Sequence, residues 1–247
     1  MPRVAAALRY LTVLPVGGAG AVPGRRALAA FPVVGLLLGL AWAVPAAVLG
    51  RMALPLAVAA GIVLAVDAVL TRLVHLDAAA RLADEVAGAP ADRLRGGDEA
   101  SHPLPPPPTG PGAPVGAAGT TALVVALLVR FGLLTFVAGF PGLLVAVPAA
   151  GRTAMVVAWW RARGGSATFE APETGVALAA TVLGAAVVFL TAHVPGLVGL
   201  GVALLVALAA AAWGRRSYGG LSDRHACACA IVAETAALMA LAMAVIL

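Results

Sequence analysis

Long apolar runs alternate with short polar breaks along this chain, and that alternation predicts its elements. The first run covers about Leu28 to Leu49, and after Arg51 a second covers about Ala53 to Val74. Thr120 to Ala138 makes a third. A tight turn at Gly139-Phe140-Pro141-Gly142 leads into a fourth, which ends near Trp160 and contains Pro148 and Arg152. Thr174 to Ala192 and Gly196 to Trp213 are the fifth and sixth, joined by a turn near His193 and Pro195, and the last runs from about Ala226 to Leu247. About 20 helical residues cross a hydrocarbon core of about 30 Å. The pattern therefore predicts an all-α, polytopic membrane bundle of six or seven transmembrane helices, with a short amphipathic or extended lead-in over residues 1–26.

The polar breaks are short, with one exception. From His75-Leu76-Asp77 to about residue 117 the sequence predicts an acidic loop. It holds His75, Asp77, Asp84, Glu85, Asp92, Asp98 and Glu99, and it closes on His102 and the run Pro105 to Pro108. That run lacks backbone donors and cannot be helical. No polar segment is long enough for a separate soluble domain, so residues 1–247 are expected to form one integral membrane unit.

Composition strengthens this picture. Of 247 residues, 62% are hydrophobic and only 11% charged, with a mean hydropathy of +1.02. A soluble domain carries about 25% charged residues, so the solvent for this chain is lipid. All 16 basic residues are Arg. They are spread among the loops rather than clustered, which argues against nucleic acid as a partner. Threading the runs puts 13 arginines on one side, with the N-terminus, the acidic loop and the breaks at 161–173 and 214–225; the other side has Arg51 alone. The positive-inside rule then places the polar loops on the cytoplasmic face of a cell membrane. With every polar loop on one face, a surface site is expected rather than a path across the bilayer. No internal repeat and no cleavable signal peptide is evident. Cys227 and Cys229 have the wrong spacing for a redox or zinc motif and are expected to be buried thiols.

Three groups of residues could carry chemistry. If helix continues past Val74, Asp77 and Asp84 lie seven apart, two turns along one face. Carboxylates aligned at a membrane surface suit Mg²⁺, which prefers oxygen ligands and bridges to substrate phosphates; a solvated polar loop is the alternative. Asp67, Arg130, Arg152 and Glu234 lie inside apolar runs, where each charge costs about 2.5–3.5 kcal/mol. Mutual pairing is the structural explanation, and a phosphate contact from Arg152 the functional one. Finally, Arg215-Arg216 with Gly219-Gly220 could cradle an anion or anchor a helix end, and Asp223 and His225 are on the right face to join the acidic stretch.

Several segments, taken in order, resemble the cobalamin synthase (adenosylcobinamide-GDP ribazoletransferase) family. Arg9-Tyr10-Leu11-Thr12-Val13-Leu14-Pro15-Val16 resembles its N-terminal FLTRLPV stretch, and Phe31 to Gly39 its first span. His75-Leu76-Asp77 is similar to the start of its HLDGLADTADG signature, and Gly151-Arg152-Thr153-Ala154-Met155 to its middle Arg segment. Arg215-Arg216, Gly219 to Asp223 and Ala233-Glu234-Thr235 resemble its closing GGxxGD…ET segment. This chain departs from the pattern where Arg81 stands at the signature's middle acid, Ala78 and Glu85 replace glycines, and Ile231 replaces the first closing Glu. The resemblance implies a Mg²⁺-dependent phosphotransfer: α-ribazole, or its 5′-phosphate, attacks the pyrophosphate of adenosylcobinamide-GDP and releases GMP. It implies catalytic roles for His75, Asp77 and Asp84, with Asp77 and Asp84 holding metal. Arg93, Arg95, Arg152 and Asp223 would meet the substrate phosphates. A membrane complex with other cobalamin-assembly enzymes is a further expectation. A catalytically degenerate scaffold of the same family, or a membrane transporter, are the alternative readings.

Overall fold

The computed structural model describes residues 2–14, 16, 24–94, 115–162 and 171–246. Those residues are built from helices: α1 (Pro2–Leu11), a 3-10 turn (Arg25–Ala30) running into α2 (Phe31–Arg51), α3 (Leu56–Thr71), α4 (Val74–Leu94), α5 (Ala117–Val137), α6 (Pro141–Ala162), α7 (Thr174–Tyr218) and α8 (Asp223–Ile246). Five of them, the first being the 3-10 turn with α2, are long and apolar enough to cross a membrane alone, and the bent pair α3–α4 makes a sixth.

The 45-residue α7 is two spans. At its start Thr174 accepts a hydrogen bond from Trp160 Nε1 (3.2 Å), and near its end Arg215 donates to the Arg161 carbonyl (2.7 Å). Both ends therefore meet the same end of α6, whereas a straight helix would hold them about 65 Å apart. The chain folds back at His193, whose φ of 50° and ψ of −139° are not helical, with Pro195 following. Counting the halves of α7 separately gives seven crossings, and the turn expected near His193 and Pro195 is present.

Helix α6 is the axis of the bundle. Leu143 through Trp159 are all buried, on every side of the helix, and α2, α7 and α8 pack around it. Close approach by α2 depends on Gly35 and Gly39, one helical turn apart. A Cβ at Gly35 would lie 2.5 Å from the Ala149 Cα, and one at Gly39 2.5 Å from the Val145 Cα. The two backbones are in direct contact, the small-xxx-small packing that replaces the hydrophobic drive in lipid. Outward-facing positions carry large apolar side chains such as Val44, Val69, Leu128, Leu190 and Leu205. Such a surface suits a hydrocarbon solvent.

The expected acidic loop is in fact helical through Leu94. Helix α3 ends in an αL cap at Arg72 (φ 52°), and Leu73 (φ 58°) is also left-handed. Two consecutive non-glycine residues in this region are strained. Hydrogen bonds from Arg72 N to the Val69 carbonyl (3.4 Å) and from Leu73 N to the Ala68 carbonyl (3.2 Å) close the helix end, and the axis turns by 87°. The polar spacing of residues 75–85 resembles that of a loop because its charges line one face. Its other face, with His75, Leu76 and Ala80, is buried. Residues 95–114, with the proline run, lie outside the described residues.

Candidate active site

The polar residues form two layers. The outer layer is built on α4. Asp77, Arg81 and Asp84 follow one another at i, i+4 and i+7, so they share a face. The alignment of Asp77 with Asp84 is as the sequence predicts, but each carboxylate already has a partner. Arg81 Nε donates to Asp77 Oδ2 at 2.8 Å. Asp84 accepts from the backbone N–H groups of Gly116 (2.7 Å, Oδ2) and Gly119 (2.6 Å, Oδ1). It therefore caps the first turn of α5, where unsatisfied N–H groups and the helix dipole favour a carboxylate.

Beside these, Glu85 lies near the Tyr218 hydroxyl, and its Oε1 lies 3.9 Å from His225 Nε2. The His225 ring packs against Tyr218, with centroids 4.7 Å apart, and its Nδ1 is 2.6 Å from Ser222 Oγ. The start of α8 thus approaches the acidic stretch through His225 and Glu85. Asp223 opens α8, half-buried.

The inner layer lies in the middle of the bundle. Glu234 of α8 bridges two guanidiniums. Its Oε2 is 3.2 Å and 3.3 Å from Arg130 Nη1 and Nη2, and its Oε1 pairs with Arg152 Nη1. Asp67 Oδ2 of α3 is 3.7 Å from Arg130 Nη2, and the Arg130 guanidinium sits over the Trp42 ring, 5.5 Å from its centroid. Two cations and two anions, all nearly or wholly buried, are thereby tied across four helices. Mutual pairing accounts for the intramembrane charges. Arg152, expected at a substrate phosphate, is 1% exposed and engaged by Glu234.

His75 belongs to this inner layer. It is 3% exposed, both ring nitrogens lack a hydrogen-bond partner, and it lies in the field of Arg152 and Arg130. Neighbouring residues of α4 thus point in opposite directions, His75 inward and Asp77 outward. Of the arginines expected at the substrate phosphates, Arg93 is in the last turn of α4 with its side chain outside the described residues, and Arg95 lies wholly outside them. Cys227 and Cys229 are free and buried, as expected.

Among the described residues no three His, Cys, Asp or Glu side chains gather into a cage. Mg²⁺ does not need one, because it commonly binds through one or two carboxylates with phosphate oxygens and water. Asp77 fits that use: its side chain is 49% exposed, and among the described residues it is held only by Arg81. An exposed i,i+4 pair contributes about 0.3–0.5 kcal/mol and does not lock the carboxylate. Asp84 fits less well, since both its oxygens are occupied by α5.

An all-helical polytopic bundle with a buried charge network under an acidic surface helix is the class these features define. The family model described as cobalamin-5-phosphate synthase matches residues 3–95 and 113–242. The chain belongs to this family. Three relatives are named adenosylcobinamide-GDP ribazoletransferase. The one from Pseudomonas paraeruginosa is 34% identical over 96% of both chains. The one from Syntrophobacter fumaroxidans is 38% identical over 53% of this chain and 49% of its own length. The one from Corynebacterium efficiens is 37% identical over 33% of this chain and 30% of its own. This chain therefore spans nearly all of one relative, and half or less of the other two in the matched regions. No solved structure matches it.

Proposed function

We propose that this chain joins α-ribazole, or its 5′-phosphate, to adenosylcobinamide-GDP and releases GMP, completing the lower loop of cobalamin. The observation that carries this reading is the family match over most of the chain, with the similarly named Pseudomonas relative aligned over 96% of both lengths. A ribose hydroxyl of the ribazole forms a bond to the cobinamide-side phosphorus, the bond from that phosphorus to the GMP oxygen breaks, and the hydroxyl proton is lost.

The exposed carboxylate of Asp77 is the group on α4 that would hold Mg²⁺. When bound, that ion neutralises the pyrophosphate and the charge building on the departing GMP oxygen. Arg93 and Arg95 are the proposed phosphate ligands. Asp84 positions α4 against α5. His75 acts from below as a positioning residue, since it faces Arg152 and Arg130 rather than solvent. The arginine-rich end is assigned to the cytoplasm, where both substrates are soluble. A second reading, a scaffold that binds but does not turn over, draws on the Arg81–Asp77 pair (2.8 Å) occupying the acid that would receive metal.

The test is conversion of adenosylcobinamide-GDP and α-ribazole to cobalamin by the purified protein, with and without Mg²⁺. Turnover that requires Mg²⁺ and disappears in Asp77→Asn, with unchanged expression, supports the assignment. Full activity of Asp77→Asn removes the metal role of Asp77. Binding of adenosylcobinamide-GDP without turnover, together with failure to complement a synthase-deficient strain, replaces the enzyme by the scaffold.

A further inference from the structure

A second polar site lies away from α4, at the same end of the bundle. Between α1, the 3-10 turn and the first turn of α7 there is a cleft of about 400 Å³. Arg3, Arg25 and Arg26 line it with Glu173, while Ala6 and Val176 supply apolar wall. It shares no residue with either layer of the candidate active site.

The charge balance of the cleft is uneven. Among the described residues, three guanidiniums face one carboxylate. Glu173 Oε1 lies 3.5 Å from Arg25 Nη1, with both side chains well exposed. Arg3 and Arg26 form no ion pair among the described residues. Arg3 and Arg26 are thus uncompensated by any described carboxylate, in a concave space with an apolar wall. The rim is open at Gly24, where a Cβ would meet nothing within 4 Å. Guanidinium groups grip phosphate oxygens in pairs of parallel hydrogen bonds and are weakly hydrated, so they suit a phosphate better than a simple halide. At the end of a membrane bundle such basic clusters also attract anionic lipid.

The geometry points to a binding site for a phosphate ester in this cleft, its anionic oxygens held by Arg3, Arg25 and Arg26 and its carbon portion lying against Ala6 and Val176. Glu173 occupies part of the position an anionic oxygen would take. Binding displaces it from Arg25, so Glu173 is a built-in competitor whose removal strengthens binding. A lipid headgroup and a soluble phosphate monoester share this chemistry.

The full-length protein is purified, and two probes are used at matched ionic strength. In detergent, glycerol 3-phosphate is titrated by calorimetry. In nanodiscs of phosphatidylcholine with or without phosphatidylglycerol, retained lipid is counted by native mass spectrometry. The Arg3→Gln/Arg26→Gln variant should lose affinity for the binding probe about tenfold or more, as expected when charged hydrogen bonds are removed. Glu173→Gln should bind more tightly than the parent. Both substitutions change exposed side chains, and an unchanged elution profile confirms that the fold is kept. Saturable glycerol 3-phosphate binding with these two responses identifies a soluble ester. Retention of phosphatidylglycerol alone, with the same responses, identifies a lipid headgroup. Binding of either probe that is indifferent to the arginines, binding weakened by Glu173→Gln, or binding of neither probe overturns the site.

Discussion

Replacing Glu234 by Gln tests whether the inner layer holds the bundle together. The amide keeps the volume of the carboxylate but not its charge. In the parent, Glu234 meets Arg130 at 3.2 and 3.3 Å and also pairs with Arg152. After substitution, two fully buried guanidiniums share one anion, Asp67, which is 3.7 Å from Arg130. Removing one partner of a buried pair costs about 3–5 kcal/mol, because the other charge stays buried without compensation. That corresponds to between about a hundred- and several-thousand-fold in the folding equilibrium. The assay is reversible unfolding of the purified protein in mixed micelles, titrated with SDS. Trp42 lies 5.5 Å from the Arg130 guanidinium and serves as an internal fluorophore. A second variant, Glu234→Gln/Arg152→Met, restores equal charge by leaving Arg130 with Asp67. It should be less destabilised than the sum of the two single variants by at least about 1 kcal/mol. A loss below about 1 kcal/mol in Glu234→Gln, or strictly additive losses, would refute the network as the source of stability.

Three further outcomes follow from the same geometry. Asp84→Ala removes the carboxylate that caps α5 and should cost about 0.5–2 kcal/mol, with faster hydrogen exchange at the Gly116 and Gly119 amides; unchanged exchange there would argue against the cap. Gly35→Val places a Cβ into the Ala149 backbone and should abolish monodisperse protein in detergent, whereas Gly50→Ala, with open space around it, should behave as the parent; equal yields would show that α2 and α6 are not in backbone contact. Arg81→Ala should change stability by less than about 0.5 kcal/mol and lower the Mg²⁺ concentration giving half-maximal turnover, by freeing Asp77; a raised requirement would mean that Arg81 helps hold the substrate complex.

Element count and membrane class were legible in the sequence because lipid imposes one simple requirement, a long apolar run for each span. The turn at His193 and Pro195 could be read for the same reason. The pairing of Asp67, Arg130, Arg152 and Glu234 was also legible as a class, since a lone charge in such a run is too costly to stand. The partners themselves were not, because four helices from distant parts of the chain decide them. The acidic stretch has the sequence pattern of a loop because its outer face is polar and its inner face short. The Arg81–Asp77 pair had a local signal, the i,i+4 spacing. Asp84 had none, since the amides it caps lie 32 and 35 residues further on.

The break at Arg72 and Leu73 explains how one short segment serves both layers. Had α3 continued straight, His75 and Asp77 would lie on a helix leaving the bundle, and neither would reach α8. The 87° turn lays α4 across the arginine-rich end, packed on α5 and α8. Residues two apart on a helix differ by about 200° in direction. His75 therefore points down to Arg130 and Arg152 while Asp77 points out to solvent. Asp84, two turns beyond Asp77, fixes the helix by its grip on α5. A strained connection of two left-handed residues persists only where its surroundings over-determine it. Here those surroundings are the buried His75 and Leu76 at one end of α4 and the Asp84 cap further along it. Glycine at Arg72 or Leu73 would relieve the backbone strain but would also let α4 swing. The physical expectation is a protein with unchanged or higher stability and a looser Asp77, so that lower turnover without lost stability would place the function of the break in positioning the acidic face.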